Sequence, residues 1–185
     1  MLANDDYAPR FEGGTVYQAL LDTKAYHRWH SPVSGVIKKS YIVPGAYFAA
    51  NPIQGFEPLI PESSLAYITQ VNTRAVIFIE ADNPSIGLMC FLAVGMCEFS
   101  SCEFTVVEGQ KVIKGERLGI FHYGGSTYCL IFRPETKITF HLQDVTPGLG
   151  ARDWPVKSAL ASVEGEREAP WVLVDGCGSV RVTAL

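Results

Sequence analysis

The chain has 185 residues, 48% of them hydrophobic and 18% charged, with a formal net charge of −4. That length supports one well-buried core and is short for two. The acidic balance excludes the broad basic field that nucleic-acid binding needs, so no nucleic-acid partner is expected.

Residues 1–14 form a polar, acidic N-terminal segment without the positive end and apolar run of a signal peptide, which gives the expectation of a cytoplasmic protein. The most apolar stretch, residues 86–96, is interrupted by Gly87 and Gly95. It falls well short of the roughly 20 residues that a membrane-spanning helix requires, leaving at most peripheral membrane contact.

Residues 14–21 read as a first strand, and residues 22–25 as a single helical turn presenting Tyr26, His27, Arg28, Trp29 and His30. After a turn at Ser31-Pro32, residues 33–41 alternate apolar and polar side chains with the period of a half-exposed strand, broken at Val43-Pro44-Gly45. Residues 51–64, with Pro52, Pro58 and Pro61, read as a surface loop ending in a short helix toward Leu65. Further β segments follow at 74–80, 86–95, 98–107 and 118–122, and a last pair at 128–133 and 137–142 is joined by a turn at Pro134-Glu135.

Short strands rich in Val, Ile, Phe and Tyr predict a mainly β chain, a single-domain β-barrel or sandwich with short helical turns. Residues 107–119 place two glycine turns around a short strand, which resembles the turn pattern of biotinyl and lipoyl carrier domains and relates the fold to the barrel-sandwich hybrid. Lys111 and Lys114 lie outside the carriers' modification motif, so the likeness is one of architecture. The β domain is placed at residues 15–145. A C-terminal extension at 146–185, with a strand or short helix at 156–163 and an apolar run at 171–174, has no functional reading beyond a packed edge or a frayed end.

Five cysteines, Cys90, Cys97, Cys102, Cys129 and Cys177, include no C-x-x-C pair and read as buried free thiols. His27, His30, His122 and His141 lack metal-ligand spacing, so no metal is expected.

Ser126 follows Gly124-Gly125, a turn with few steric limits in which a hydroxyl can approach the preceding carbonyl closely. With a base nearby, attack on the Gly125 carbonyl gives an ester, and β-elimination then yields a dehydroalanine that hydrolyses to a pyruvoyl group and ammonia. His27 and His30 share a face on a helical turn and point to opposite faces on a strand, so a turn or helix end is needed for both to reach Ser126.

Residues 26–35 carry a Y-H-R-x-H element followed by the Val43-Pro44-Gly45 turn, and residues 114–127 carry K-G-x-x-x-G-x-F-x-x-G-G-S-T. In type, order and separation the two resemble the motifs of the phosphatidylserine decarboxylase family, and their wording is closest to its soluble fungal branch, which includes decarboxylases of aromatic amino acids. The resemblance covers roughly residues 13–142.

It implies self-cleavage between Gly125 and Ser126 into β and α chains, with a covalent pyruvoyl group derived from Ser126 as cofactor. His30 takes the place of the cleavage base and His27 that of a histidine used in decarboxylation. The reaction implied is Schiff-base decarboxylation of an amine-bearing carboxylate, either phosphatidylserine in phospholipid biosynthesis or a free aromatic amino acid in secondary metabolism. Trp29, His122, Tyr123 and Thr127 are candidates for the pocket around a small-molecule or phospholipid substrate.

The family's S-P-V-D-G-like segment, whose aspartate orients the base histidine, has no counterpart before Tyr26, where Asp5, Asp6 and Asp22 are the available carboxylates. A non-catalytic β-barrel binding module of the same fold is the alternative. An unmatched strand edge would leave room for a homodimer.

Overall fold

The structure is a computed structural model that describes residues 1–21, 26–47, 49, 64–96, 101–122, 126–141, 155–164, 172–173 and 180–184. The sequence reading of residues 22–25 as a helical turn, most of the 51–64 loop and residues 123–125 lie outside these.

The described chain is mainly β. A 3-10 turn, Ala8–Phe11, precedes β1 (Thr15–Leu21), β2 (Arg28–His30) and β3 (Gly35–Val43). One helix, α1 (Leu65–Val71), leads into β4 (Arg74–Ala81) and β5 (Leu88–Gly95). There follow β6 (Cys102–Phe104), β7 (Lys111–Val112), β8 (Arg117–Phe121), β9 (Ser126–Phe132) and β10 (Ile138–Phe140), and then β11 (Ala159–Val163), β12 (Val172–Leu173) and β13 (Val180–Ala184).

A seven-stranded antiparallel sheet runs β13-β1-β9-β5-β4-β3-β7, and three-stranded sheets run β2-β8-β6 and β10-β11-β12. Among the described residues the large sheet has two free edges, β13 and β7, so the arrangement is layered and the barrel alternative is not realised.

Every residue of β5 and β9 is buried. Both strands are covered on both faces, which is why they read as continuous apolar runs instead of alternating ones. Alternation along β4, β5 and β9 divides their side chains between two cores. Ile77, Ile79, Met89, Phe91, Leu130 and Phe132 face one, together with Trp29, Leu118 and Phe121 from the β2-β8-β6 sheet. Val76, Phe78, Cys90, Leu92 and Ile131 face the other, together with Leu65 and Ile68 of α1 and with Leu2 and Phe11. The N-terminal segment, polar by composition, thus contributes core: Tyr7 meets Phe78 edge-on at 5.1 Å and Phe11 stacks on it at 5.8 Å.

The glycine turns flanking β7 are present, Gly109 with φ +83° and Gly115 with φ +81°, conformations that side chains with a Cβ resist. Three strand expectations change. β9 begins at Ser126, ahead of the expected 128. The reading of 98–107 as a strand narrows to Cys102–Phe104 among the described residues. β9 and β10, though joined by the Pro134-Glu135 turn, do not pair: both edges of β9 are taken by β1 and β5, and β10 pairs with β11. In the C-terminal extension, β13 pairs with β1 and forms a sheet edge.

Candidate active site

Ser126 is the first residue of β9 and is fully buried. Its strand partners are Leu21 on β1 and Gly95 on β5. Two-residue periodicity sends its side chain to the face that carries Tyr128, Leu130 and Phe132, the core shared with Trp29 and Phe121.

His27 immediately precedes β2, and its carbonyl accepts the Phe121 amide at 3.0 Å, which ties it to the end of β8. Its imidazole meets the Phe121 ring edge-on, with centroids 6.4 Å apart. So held, Nδ1 of His27 lies 3.2 Å from Oγ of Ser126, a contact that bridges 99 residues of sequence. Nε2 of His27 is buried and has no hydrogen-bond partner among the described residues. One ring nitrogen is therefore on the serine and the other is open to a further group.

His30 is buried at the end of β2. Its ring stacks on Tyr26 with centroids 5.5 Å apart and planes 18° apart, and the Tyr26 hydroxyl lies 3.3 Å from Nε2. Because residues 28–30 are extended, the two histidines do not present one face as they would on a helical turn. The described contact with Ser126 belongs to His27.

The other sequence candidates separate. Trp29 is 1% exposed and packs on Phe121 at 4.9 Å, Phe91 at 6.1 Å and Phe104 at 6.3 Å, which makes it a core residue standing behind Phe121. Gly119 admits that ring: a Cβ there would come within 2.4 Å of Trp29 Cε3. Thr127 is buried on the opposite face, where its hydroxyl donates to the Ala19 carbonyl at 2.7 Å. His122 is exposed and pairs with Glu103. Tyr123 and Gly125 lie outside the described residues. Of the upstream carboxylates, Asp5 is engaged elsewhere, by the Lys39 ammonium and by the Tyr7 amide at 2.9 Å.

Gln18, Thr69, Asn72 and Gly95 also surround the start of β9 and were not singled out from sequence. No motif or periodicity links residues so far apart in the chain. Among the described residues no group of three His, Cys, Asp or Glu side chains is placed to hold a metal ion. Burial pushes the Cys102 and Cys129 thiols up to about 12 and that of Cys90 well above its ordinary value, so none is a thiolate at neutral pH. No helix among the described residues is long and apolar enough to cross a membrane.

A family model described as phosphatidylserine decarboxylase matches residues 1–149. The chain is 48% identical over 156 residues to the decarboxylase iboD of Amanita muscaria, an alignment that covers 76% of this chain and 43% of that protein. It is 42% identical over 172 residues to the L-tryptophan decarboxylase of Psilocybe cyanescens, covering 88% and 38%. It is 31% identical over 134 residues to the phosphatidylserine decarboxylase proenzyme 3 of Schizosaccharomyces pombe, covering 72% and 13%. The chain therefore spans less than half the length of each of these relatives.

Proposed function

The chain belongs to the phosphatidylserine decarboxylase family, and from that premise we propose that it cuts itself between Gly125 and Ser126 and decarboxylates an amine-bearing carboxylate. The observation that carries this reading is the half-buried His27 imidazole at 3.2 Å from the hydroxyl of the motif serine, which is itself fully buried. In the cut, Oγ of Ser126 adds to the Gly125 carbonyl and the peptide bond between them breaks to give an ester. Loss of the Ser126 α-proton then expels the Gly125 carboxylate and leaves a dehydroalanine. Water converts that residue to a pyruvoyl group with release of ammonia.

The surroundings of Ser126 fit such a group. It would sit at the head of a strand held on both sides, with a half-buried imidazole beside it whose buried Nε2 has no partner among the described residues. A pyruvoyl carbonyl supplies an electron sink for the pair left behind when carbon dioxide departs. His27 can hold or return a proton at that point through the nitrogen that faces Ser126, and its open Nε2 is available to an acidic group of the substrate.

The part of His30 in cleavage is carried by the resemblance, with Tyr26 as its neighbour on the ring. As substrate we favour a free amino acid with an aromatic side chain. Relatives at 42–48% identity are named L-tryptophan decarboxylase and decarboxylase, whereas relatives named phosphatidylserine decarboxylase stand at 31–35%.

Separate His27→Ala and His30→Ala variants test this division of labour by intact mass and by carbon dioxide release from L-tryptophan and from phosphatidylserine vesicles. His30→Ala is expected to remain one chain. His27→Ala is expected to be cut and to lose at least about 100-fold in turnover, the scale typical of a lost general acid or base. An uncut His27→Ala would transfer the cleavage step to His27, and full turnover in that variant would contradict its role.

A further inference from the structure

Cleavage before Ser126 would turn the first residue of an interior strand into a chain end. Chain ends fray, with opening free energies that approach zero when nothing lateral restrains them. The start of β9 is restrained laterally from several directions.

Gln18 on β1 points its amide at α1, and Nε2 donates to Thr69 Oγ1 at 2.9 Å and to Thr127 Oγ1 at 3.2 Å. Thr127 in turn donates to the Ala19 carbonyl at 2.7 Å, and Thr69 to the Leu65 carbonyl at 2.7 Å. Each hydroxyl thus both accepts and donates, and the two threonines are 0% and 2% exposed. The threonine hydroxyls are buried and Gln18 is half-buried, so a threonine hydroxyl left without its partner is costly.

On the other side of Ser126, its partner Gly95 is fixed by its neighbours at the end of α1. The Gly95 amide donates to the Thr73 carbonyl at 3.0 Å, and Nδ2 of Asn72 donates to the Gly95 carbonyl at 2.8 Å. Helix α1 therefore reaches residue 127 through Thr69 and Gln18, and the strand partner of residue 126 through Asn72.

We infer that the Gln18–Thr69–Thr127 network is a positioning device for the group made from Ser126, replacing after the cut the hold that the peptide bond supplies before it. The inference rests on the cleavage proposed above. Its signature is a dependence on cleavage state: in the uncut chain the backbone restrains residue 126 from both sides and the network is partly redundant, whereas in the cut chain the strand's head is held only laterally, by its pairing with β1 and β5 and by this network.

The test compares Thr69→Val and Gln18→Leu, with Thr69→Ser as the conservative control, in the self-processing chain and in the uncut Ser126→Ala background. Thermal unfolding is read together with hydrogen exchange of the amides of residues 127–129. In the cut form, Thr69→Val and Gln18→Leu are expected to speed exchange at these amides by about tenfold or more and to lower the unfolding midpoint further than in the uncut background. Thr69→Ser is expected to restore both. Equal shifts in the two backgrounds, or variants that stay uncut, would overturn the inference while leaving the cleavage reading in place. A wild-type chain that is never cut would instead overturn that reading, and with it the inference.

Discussion

At the scale of single residues, the three side chains proposed for the site, His27, His30 and Ser126, were all picked out by motif spacing, but the contact of His27 with the serine was not. That contact depends on how the chain enters β2, where the Phe121 amide holds the His27 carbonyl and the ring reaches the hydroxyl. Asp5 illustrates a different limit. By position it could have served as an orienting carboxylate, yet it is 5% exposed at its side chain and bound to Lys39. Burial works against its charge, but the Lys39 bond and the Tyr7 amide outweigh that, so its carboxyl titrates below the ordinary 3.8. A carboxyl depressed by folding stabilises the fold above its unfolded-state pKa, and the contribution fades as pH falls through the lower folded value. Acid titration of unfolding free energy is thus expected to show a loss below about pH 4 that is shallower in Asp5→Asn. Identical acid profiles for the two proteins would remove Asp5 from the account.

At the scale of elements, the continuous apolar runs of β5 and β9 were readable because strands buried on both faces leave no alternation to detect. The partner of β10 was not readable. A short turn suggests a hairpin, and only the sheet order reveals that β9 already has two neighbours. The N-terminal 3-10 turn escaped for a related reason: a few apolar side chains in a polar segment, Leu2, Tyr7 and Phe11, do the packing. Phe11 is 8% exposed and stacked on the fully buried Phe78. Phe11→Ala is expected to cost about 3 kcal/mol in urea unfolding, at the low end for buried phenylalanine. A change below about 0.5 kcal/mol, the range of ordinary surface substitutions, would mean that the segment does not pack as described.

At the scale of the whole molecule, the architecture gathers two sequence elements 99 residues apart into one contact, with Ser126 buried beside the core that the large sheet shares with the β2-β8-β6 sheet. Composition could establish the β class, since that follows from residue type, but not whether the sheet closes, which depends on pairings at its edges. The same burial explains how a chain could be cut without falling apart. Ser126 lies at the head of an interior strand, paired to β1 and β5 on either side, so the sheet would hold the two pieces together after the peptide bond is lost. The most direct test of the central claim is intact mass under denaturing conditions, on the wild type and on Ser126→Ala. Two wild-type fragments that divide between residues 125 and 126 are expected, the smaller one blocked by a pyruvoyl end, with a single full-length chain for Ser126→Ala. A single uncut chain in both would contradict the claim.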